Sequence, residues 1–211
     1  ATGSFGDQPL SAPLPGGVKA GEASSVGATP GYSVTSYSVW FHAADTSGPD
    51  GSFVSLSLAD APGNRMNYVG IGNTDAGGLT LVAYDATSNG FGVAASFNSF
   101  DLTTIPLDRT TWHEITVDTT FLNGPSNDIV NYYVDGTLEA TTGSWEDYYR
   151  NDPEQAGNGN VVSGSDLVGF YTRSSAAGAQ GIYFDNFSLS ASTVPLPASA
   201  WSGLALLGGL G

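Results

Sequence analysis

The amino-acid sequence predicts an all-β fold, a two-sheet antiparallel jelly-roll sandwich. Short runs of alternating apolar and polar residues, rich in β-branched and aromatic side chains, recur between turn signals along most of the chain. The sequence contains 29 glycines and 11 prolines, and only 12% of its residues are charged, which is typical of many turns between strands. No helical period of normal length occurs before residue 198. About ten or eleven short strands are typical of a β-sandwich.

The composition divides the chain into three parts. Residues 1–31 are punctuated by Pro and Gly and show neither strand nor helix periodicity, so we expect an irregular amino-terminal arm. Residues 32–192 carry the strand pattern and form one sandwich domain, a size that β-sandwiches commonly reach as a single unit. Residues 193–211 form a short apolar tail that contains two prolines.

The strands of the sandwich domain are predicted from their period of two. In the first strand, Tyr37, Val39 and Phe41 share the inward face. Asp135 and Gly136 favour a tight primed turn, since both tolerate positive φ. A long polar loop is expected over residues 143–164. The predicted strands span residues 32–41, 53–58, 64–72, 79–84, 91–97, 111–118, 129–134, 137–141, 166–173 and 181–189.

The charge of the chain excludes several partners. Twenty acidic residues stand against five basic ones, which gives a net charge of −15 at pH 7. Nucleic acid is therefore not an expected partner, because phosphate binding depends on Lys and Arg. Such an acidic surface can recruit divalent cations. The sequence has no cysteine, which excludes disulfides, thiol nucleophiles and metal–thiolate sites.

Three segments, in this order, carry a resemblance to a known fold family. They are residues 112–117 (WHEITV), 131–138 (NYYVDGTL) and 181–189 (GIYFDNFSL). The arrangement resembles the concanavalin A-like, LamG-type jelly roll, whose members show a strand led by Trp, a hairpin with an Asp-Gly turn and a closing Asp-Asn strand. The resemblance spans roughly residues 32–191 and implies the fold. It leaves function open, because this fold hosts lectins, hydrolases, adhesins and spacers.

The candidate catalytic patterns of this fold are missing, so we expect no enzyme. Laminarinase-type relatives supply their carboxylates as E-x-D-x-x-E, but here Glu114 is followed two positions later by Thr116. His42 and His113 are the only histidines, and no G-x-S-x-G motif accompanies them, so both are expected to be structural. The carboxylates that only folding could pair are Glu114, Asp118, Glu146 and Asp147.

Structural calcium is the predicted cofactor. In carbohydrate-binding relatives of this sandwich, the Asp of the closing Asp-Asn strand often helps to hold calcium, and the resemblance places Asp185 at that position. Loop oxygens of Asp45, Asp50 or Asp7 would complete the six to eight ligands that calcium requires. The alternative is that Asp185 accepts backbone hydrogen bonds at a strand end.

An aromatic loop is the predicted contact surface. Residues 145–152 (WEDYYRND) place Trp145, Tyr148 and Tyr149 among charges. Exposed aromatic side chains stack on sugar rings and anchor protein interfaces. We therefore predict that this loop contacts a glycan or another subunit. The alternative is that Trp145 and one Tyr fold back over the sheet.

The tail has the form of a sorting signal. Residues 194–201 read VPLPASAW, and Val194, Pro195, Leu196, Pro197 and Trp201 resemble the carboxy-terminal signal of PEP-CTERM proteins. The apolar run after the Trp is shorter than the roughly 20 residues that span a bilayer. The second half of that signal's helix and its basic end do not occur in the sequence. The resemblance implies export, processing by an exosortase-type membrane protease, and an outer-surface location in a Gram-negative-type bacterium. The start at Ala1 is what removal of a secretory signal would leave.

Two functions from different classes follow from these observations, and we predict the first, with the second as the alternative. The first is a non-catalytic exported structural protein of the cell surface or extracellular matrix, which self-assembles through its arm, its tail or uncovered sheet edges. The second is a lectin-like module that binds exopolysaccharide. A sheet face lined by solvent-exposed aromatic residues would favour the second.

Overall fold

A computed structural model describes residues 8–9, 34–59, 65–87, 90, 92–122, 126–155, 167–174 and 179–192. Within these ranges the chain forms two antiparallel sheets that pack as a jelly-roll sandwich, which confirms the predicted fold class. The strands are β1 (Gln8–Pro9), β2 (Val34–Ala43), β3 (Ser52–Ala59), β4 (Val69–Asp75), β5 (Gly78–Thr87), β6 (Ser96–Asp101), β7 (His113–Thr120), β8 (Ile129–Val134), β9 (Thr137–Thr142), β10 (Leu167–Ser174) and β11 (Ile182–Ser192).

The two sheets interleave along the chain. One sheet has six strands in the order β1-β10-β3-β4-β5-β6, and the other has five in the order β11-β2-β7-β8-β9. The late strands β10 and β11 pair with the early strands β3 and β2, respectively. These long-range pairings bring the closing Asp-Asn segment of β11 beside the first long strand of the domain.

The core lies between the inward faces of the two sheets. In β2, Tyr37, Val39 and Phe41 are at most 1% exposed, as the alternation predicts. They pack with buried side chains of the facing sheet such as Leu56 and Ile71. Each fully buried side chain of this kind contributes roughly 1.5–3 kcal/mol. This packing supplies the stability that other small domains take from disulfides.

The predicted hairpin between β8 and β9 is confirmed. Asp135 and Gly136 have φ values of 48° and 79°, so both central residues are left-handed. A primed turn needs positive φ at both positions, and its twist matches that of the flanking strands.

Some element boundaries differ from the prediction. The strand expected over residues 91–97 is β6, which begins only at Ser96, and the one expected over 64–72 begins at Val69. The predicted loop over 143–164 contains a helix, α1 (Glu146–Asn151), followed by a 3-10 turn over Pro153–Gln155. Six residues are too few for helical periodicity to show in the sequence. The predicted arm also contains β1, which pairs with β10.

Several predicted features lie outside the described residues. They include the tail motif of Val194, Pro195, Leu196, Pro197 and Trp201, and most of the arm. No helix among the described residues has the length and apolar character needed to cross a membrane.

Candidate ligand-binding face

The aromatic loop folds back onto the protein. The indole Nε1 of Trp145 donates a hydrogen bond to the backbone oxygen of Tyr84 at 2.8 Å. The Trp145 ring also stacks on Tyr68, with centroids 5.9 Å apart and planes 8° apart. Trp145 therefore covers the sheet, which is the alternative that the sequence left open.

The two tyrosines of the loop are also engaged. Tyr149 is only 6% exposed, and its hydroxyl accepts a hydrogen bond from the backbone N–H of Arg65 at 2.6 Å. Tyr148 is half-buried, packs edge-on against Phe97, and donates from its hydroxyl to Glu154 at 3.0 Å. The contact predicted for Tyr149 is wrong because its ring is buried, and the loop as a whole supports the sandwich.

Asp50, a predicted calcium ligand, accepts hydrogen bonds from the backbone and from a serine hydroxyl. Its carboxylate accepts hydrogen bonds from Ser52 N and Gln180 N at 2.9 and 2.6 Å, and from the Ser52 hydroxyl at 2.8 Å. Partial burial alone would raise the pKa of Asp50, but these hydrogen bonds outweigh it and lower the pKa below its usual value. The side chain ties the loop before β3 to the start of β11.

Of the other two predicted ligands, Asp45 shares the donor residue Gln180 with Asp50, whereas Asp185 lies within β11. Asp45 accepts from Ser47 N at 2.9 Å and from the side chain of Gln180 at 3.3 Å. Asp185 is exposed in the middle of β11, where it accepts from Asn186 N at 2.8 Å. The described part of the chain contains no group of three or more His, Asp or Glu side chains that could hold a metal. Asp7 lies outside the described residues, and structural calcium stays a prediction.

A different surface gathers the exposed aromatic residues. On the outer face of the five-stranded sheet, Trp40, Trp112 and Tyr183 are 37%, 43% and 58% exposed. Tyr183 of β11 pairs with His42 of β2, and their rings stack with centroids 6.4 Å apart. The His42 ring lies 5.2 Å from that of Trp112. The rings of Tyr183, His42 and Trp112 thus form a continuous row across three neighbouring segments, which we call the aromatic row.

The next row of this face places carboxylates on both sides of a tryptophan. Trp40 is opposite Asp185 of β11 on one side and Glu114 of β7 on the other. Directly opposed residues in an antiparallel sheet point to the same face, with neighbouring strands about 4.8 Å apart. The Trp40 indole is thus flanked by two acidic side chains.

An open pocket of about 220 Å³ lies where these two rows meet. Its walls are Trp40, Trp112, Asp185 and Asn186. Asn186 has φ 50° and sits at an irregularity in the pairing of β11 with β2, between Asp185 and Ser188. A bulge of this kind redirects side chains and is frequent beside binding sites. It turns consecutive residues of β11 towards one pocket.

Polar side chains continue the face beyond the pocket. The hydroxyls of Ser38 and Ser188 are 2.9 Å apart on adjoining strands. Further along, Thr141 donates to the side-chain oxygen of Asn131 at 2.7 Å. The face therefore combines exposed rings at one end with hydroxyl and amide groups that accept and donate hydrogen bonds.

His113 anchors the segment that carries Trp112 and Glu114. Its Nδ1 is 2.7 Å from the carboxylate of Asp135, and that carboxylate also accepts from Glu114 N at 2.8 Å. The Nε2 of His113 is 2.9 Å from the backbone oxygen of Asp108. These contacts are consistent with a structural role for His113, whereas His42 lies in the aromatic row.

A second cavity, also about 220 Å³, is acidic. It is lined by carboxylates of Asp85, Asp128, Glu146 and Asp147. Burial, together with the charges of Asp128 and Asp147, raises the pKa of Glu146 to about 8. The Asp128 carboxylate accepts from the Ser144 hydroxyl at 2.5 Å, and its pKa is also raised by burial. The fold thus places the neighbouring carboxylates of Glu146 and Asp147 beside those of Asp85 and Asp128.

Sequence reasoning did not select the aromatic row, although a signal was present. In the predicted first strand, Trp40 and His42 have the opposite parity to the inward residues Tyr37, Val39 and Phe41. A tryptophan on the outward face of a strand does not contribute to the core, so its position indicates a surface role. The neighbourhood of Trp112 and Tyr183 depends on the pairing of distant strands, which periodicity does not reveal.

Comparisons with known proteins identify no family. The chain matches no protein-family model, and no curated protein matches it. Among solved structures, it is similar to a tetrameric galectin from the ball sponge Cinachyrella, with a TM-score of 0.40 and 14% identity over 88% of this chain and 97% of that one. An alginate lyase from Pseudomonas aeruginosa gives a TM-score of 0.44 and 10% identity over 77% and 69% of the two chains. Sheep galectin-11 gives 0.36 and 8% over 75% and 90%. Similarities this weak assign no function to this chain.

Proposed function

We propose that the protein is a non-catalytic glycan-binding module, and that the outer face of its five-stranded sheet is the binding surface. The observation that supports this is the exposure of Trp40, Trp112 and Tyr183 together on one sheet face, next to carboxylate and amide groups. Flat aromatic rings stack on the C–H faces of pyranose rings, and the neighbouring polar groups bond to the hydroxyls. The face offers both kinds of contact.

Burial explains why this surface is the better choice than the aromatic loop. The rings of Trp145 and Tyr149 pack against other side chains of the protein. Trp40 and Trp112, in contrast, are about two-fifths exposed to solvent. Clustered exposed apolar side chains mark interaction sites more often than single ones do. The loop residues therefore support the fold, and the aromatic row contacts the ligand.

Binding without catalysis is the proposed activity of this face. Glu114 and Asp185 flank Trp40 from the two neighbouring strands, so about two strand spacings, roughly 10 Å, separate their backbones. The E-x-D-x-x-E arrangement of hydrolases on this fold does not occur in the sequence. We assign the two acids to hydrogen bonding with sugar hydroxyls. A reducing-sugar assay on any polysaccharide that binds is expected to show no release.

A glycan array with three variants tests the proposal. Trp40→Ala and Trp112→Ala are expected to lose binding at least tenfold, equivalent to about 1.4 kcal/mol. Phe100→Ala is the matched control, since Phe100 is 40% exposed but lies on β6 of the other sheet. An array with no bound glycan, or both Trp variants binding like the parent, would overturn the proposal. Binding of a protein, rather than a glycan, to this face would also overturn the proposal.

Self-assembly is the second candidate function, and one observation favours it. Strand β6 is the last strand of the six-stranded sheet, and its side chains Phe97 and Phe100 are 45% and 40% exposed. An edge strand with apolar side chains is a template for pairing with another chain. Together with the sorting-signal-like tail, this supports an exported surface protein that polymerises or coats. Electron microscopy of the protein and of a version ending at Ser192, with and without calcium, tests this. Single particles under every condition would contradict it.

A further inference from the structure

We propose that the ligand of the aromatic face is an amino sugar, a pyranose polymer that carries free protonated amines. This inference rests on the proposed glycan-binding function and narrows it to one charge class of saccharide. It follows from the electrostatics of the face and from the make-up of the pocket between Trp40 and Trp112.

The charge of the sheet favours a cationic ligand. None of the five strands β2, β7, β8, β9 and β11 contains a Lys or an Arg. The same strands contain four acidic residues, Glu114, Asp118, Glu139 and Asp185. The whole chain has a net charge of −15. A uronate or sulfated polymer would meet like charge along this face, whereas a polyamine saccharide would be attracted to it.

The pocket offers an ammonium group two kinds of attractive interaction, one with aromatic rings and one with a carboxylate. Two tryptophans, Trp40 and Trp112, line it together with the carboxylate of Asp185. A cation over the face of an indole is attracted by the quadrupole of the ring, and Trp is the strongest of the aromatic side chains in this respect. A carboxylate beside the ring adds a charge-assisted hydrogen bond.

The strand register gives the site a second carboxylate. A pyranose stacked on Trp40 has Asp185 on one side and Glu114 on the other, because both are directly opposite Trp40 in the sheet. An amine on either edge of the ring therefore meets an acid. Asn186, the fourth wall of the pocket, contributes an amide that bonds to neighbouring hydroxyls. An N-acetyl group at the same ring position carries no charge and loses the ionic part of this recognition.

The experiment compares three oligosaccharides of equal length by calorimetry at low and at physiological salt. They are a β-linked glucosamine hexamer, its fully N-acetylated form and a uronate hexamer, all at pH 6 so that most amines are protonated. The glucosamine hexamer is expected to bind about tenfold more tightly than the N-acetylated one. The preference is expected to shrink as salt screens the charges. The uronate is expected to bind weakest.

Charge-removing variants locate the effect. Asp185→Asn and Glu114→Gln are expected to reduce the ratio of affinities for the amine and N-acetylated hexamers at least threefold. Both variants should keep the melting temperature of the parent, which shows that they are folded. Trp40→Ala is expected to weaken binding of both hexamers. Glu139→Gln is the matched control, because it removes the same charge from an exposed position on β9.

The outcomes separate the inference from the function on which it rests. Equal binding of the amine and N-acetylated hexamers, or tighter binding of the uronate, would overturn the amino-sugar assignment and leave glycan binding standing. An equal effect of Glu139→Gln and Asp185→Asn would overturn the assignment to this pocket, since net charge alone would then explain the preference. No binding of any saccharide, here or on the array, would overturn both proposals.

Discussion

The carboxylate of Asp50 accepts a hydrogen bond from the backbone N–H of Gln180 at 2.6 Å, and so joins the two sheets of the sandwich. Asp50 precedes β3 of the six-stranded sheet, and Gln180 precedes β11 of the five-stranded one. The same carboxylate accepts from Gly181 N and from both donors of Ser52. One acidic side chain therefore fixes where β11, the strand that carries Asp185 and Tyr183, enters the fold.

Removing this acceptor is expected to destabilise the protein. Asp50→Asn places an amide where backbone donors converge, and we expect a loss of about 1–3 kcal/mol in the free energy of unfolding at pH 7. Urea denaturation followed by tryptophan fluorescence measures it. Asp101→Asn on the exposed strand β6 is the control and should change stability little. Equal effects of the two substitutions would mean that the Asp50 contacts contribute nothing specific.

The same residue predicts a loss of stability in acid. The pKa of Asp50 is lower in the folded protein than its usual value, because its hydrogen bonds outweigh the opposing effect of burial. Its contribution is therefore present above the pKa of an unfolded Asp, near 3.9, and is lost as pH falls through the folded value. Between pH 5 and pH 3, the Asp50→Asn variant should lose less stability than the parent. Parallel curves for the two proteins would contradict this.

Glu146 predicts an effect of the opposite sign. Burial and the charges of Asp128 and Asp147 raise its pKa from the usual 4.5 to about 8, so the folded state binds the proton more tightly than the unfolded state. Stability from this group is present below pH 4.5 and declines as pH rises towards 8. Glu146→Gln should therefore raise the melting temperature at pH 9 by several degrees and change it little at pH 4. Glu139→Gln, at an exposed position of β9, is the control. A lower melting temperature of Glu146→Gln at pH 9 would show that the cavity uses the charged carboxylate.

Arg109 is expected to be essential for the turn between β4 and β5. Its guanidinium donates to the backbone oxygens of Ala76 and Gly78, both at 3.3 Å, and to the side-chain oxygen of Asn73 at 3.2 Å. The side chain is only 9% exposed. Arg109→Ala leaves these acceptors without their donor, and we expect a loss of about 3 kcal/mol. Hydrogen exchange should accelerate first in residues 73–80. Unchanged exchange there would mean that water replaces the guanidinium without cost.

Asn67 is a polar bridge through the core. Its side-chain oxygen accepts from Leu58 N at 3.0 Å and from the Tyr37 hydroxyl at 3.2 Å, and its amide donates to Thr119 at 2.9 Å. Asn67 is fully buried, so Asn67→Ala leaves several polar groups unpaired between the sheets. We expect a cost of about 2–4 kcal/mol. Tyr37→Phe removes one of these bonds and should cost less. A larger cost for Tyr37→Phe than for Asn67→Ala would contradict the bridge.

Strands such as β2 and β7 were predictable from local pattern because they obey a period of two. The inward parity of Tyr37, Val39 and Phe41 and the Asp135-Gly136 turn need only neighbouring residues to be recognised. The displaced start of β6 has a physical cause. Its six residues are all exposed at a sheet edge, so no buried face imposes alternation on the sequence.

The candidate site was predictable only in part, because its residues come from segments that lie far apart in the sequence. Sequence reasoning selected Asp185, but assigned it to calcium, and selected Trp145, Tyr148 and Tyr149, which pack onto the sheet. Whether an aromatic side chain is exposed depends on what the rest of the chain places over it. That information is absent from the spacing of residues within one loop.

The sequence by itself determined the all-β class, the inward faces of the strands, the acidic character and the lack of Lys and Arg on β2 and β11. These properties are local, because alternation and charge are read within a single segment. Only the tertiary structure decided that Tyr183, Asp185, Trp40, Trp112 and Glu114 share one surface. Their segments lie far apart in the chain and meet through the order and register of strands. Strand order and register depend on the free energy of the whole sandwich.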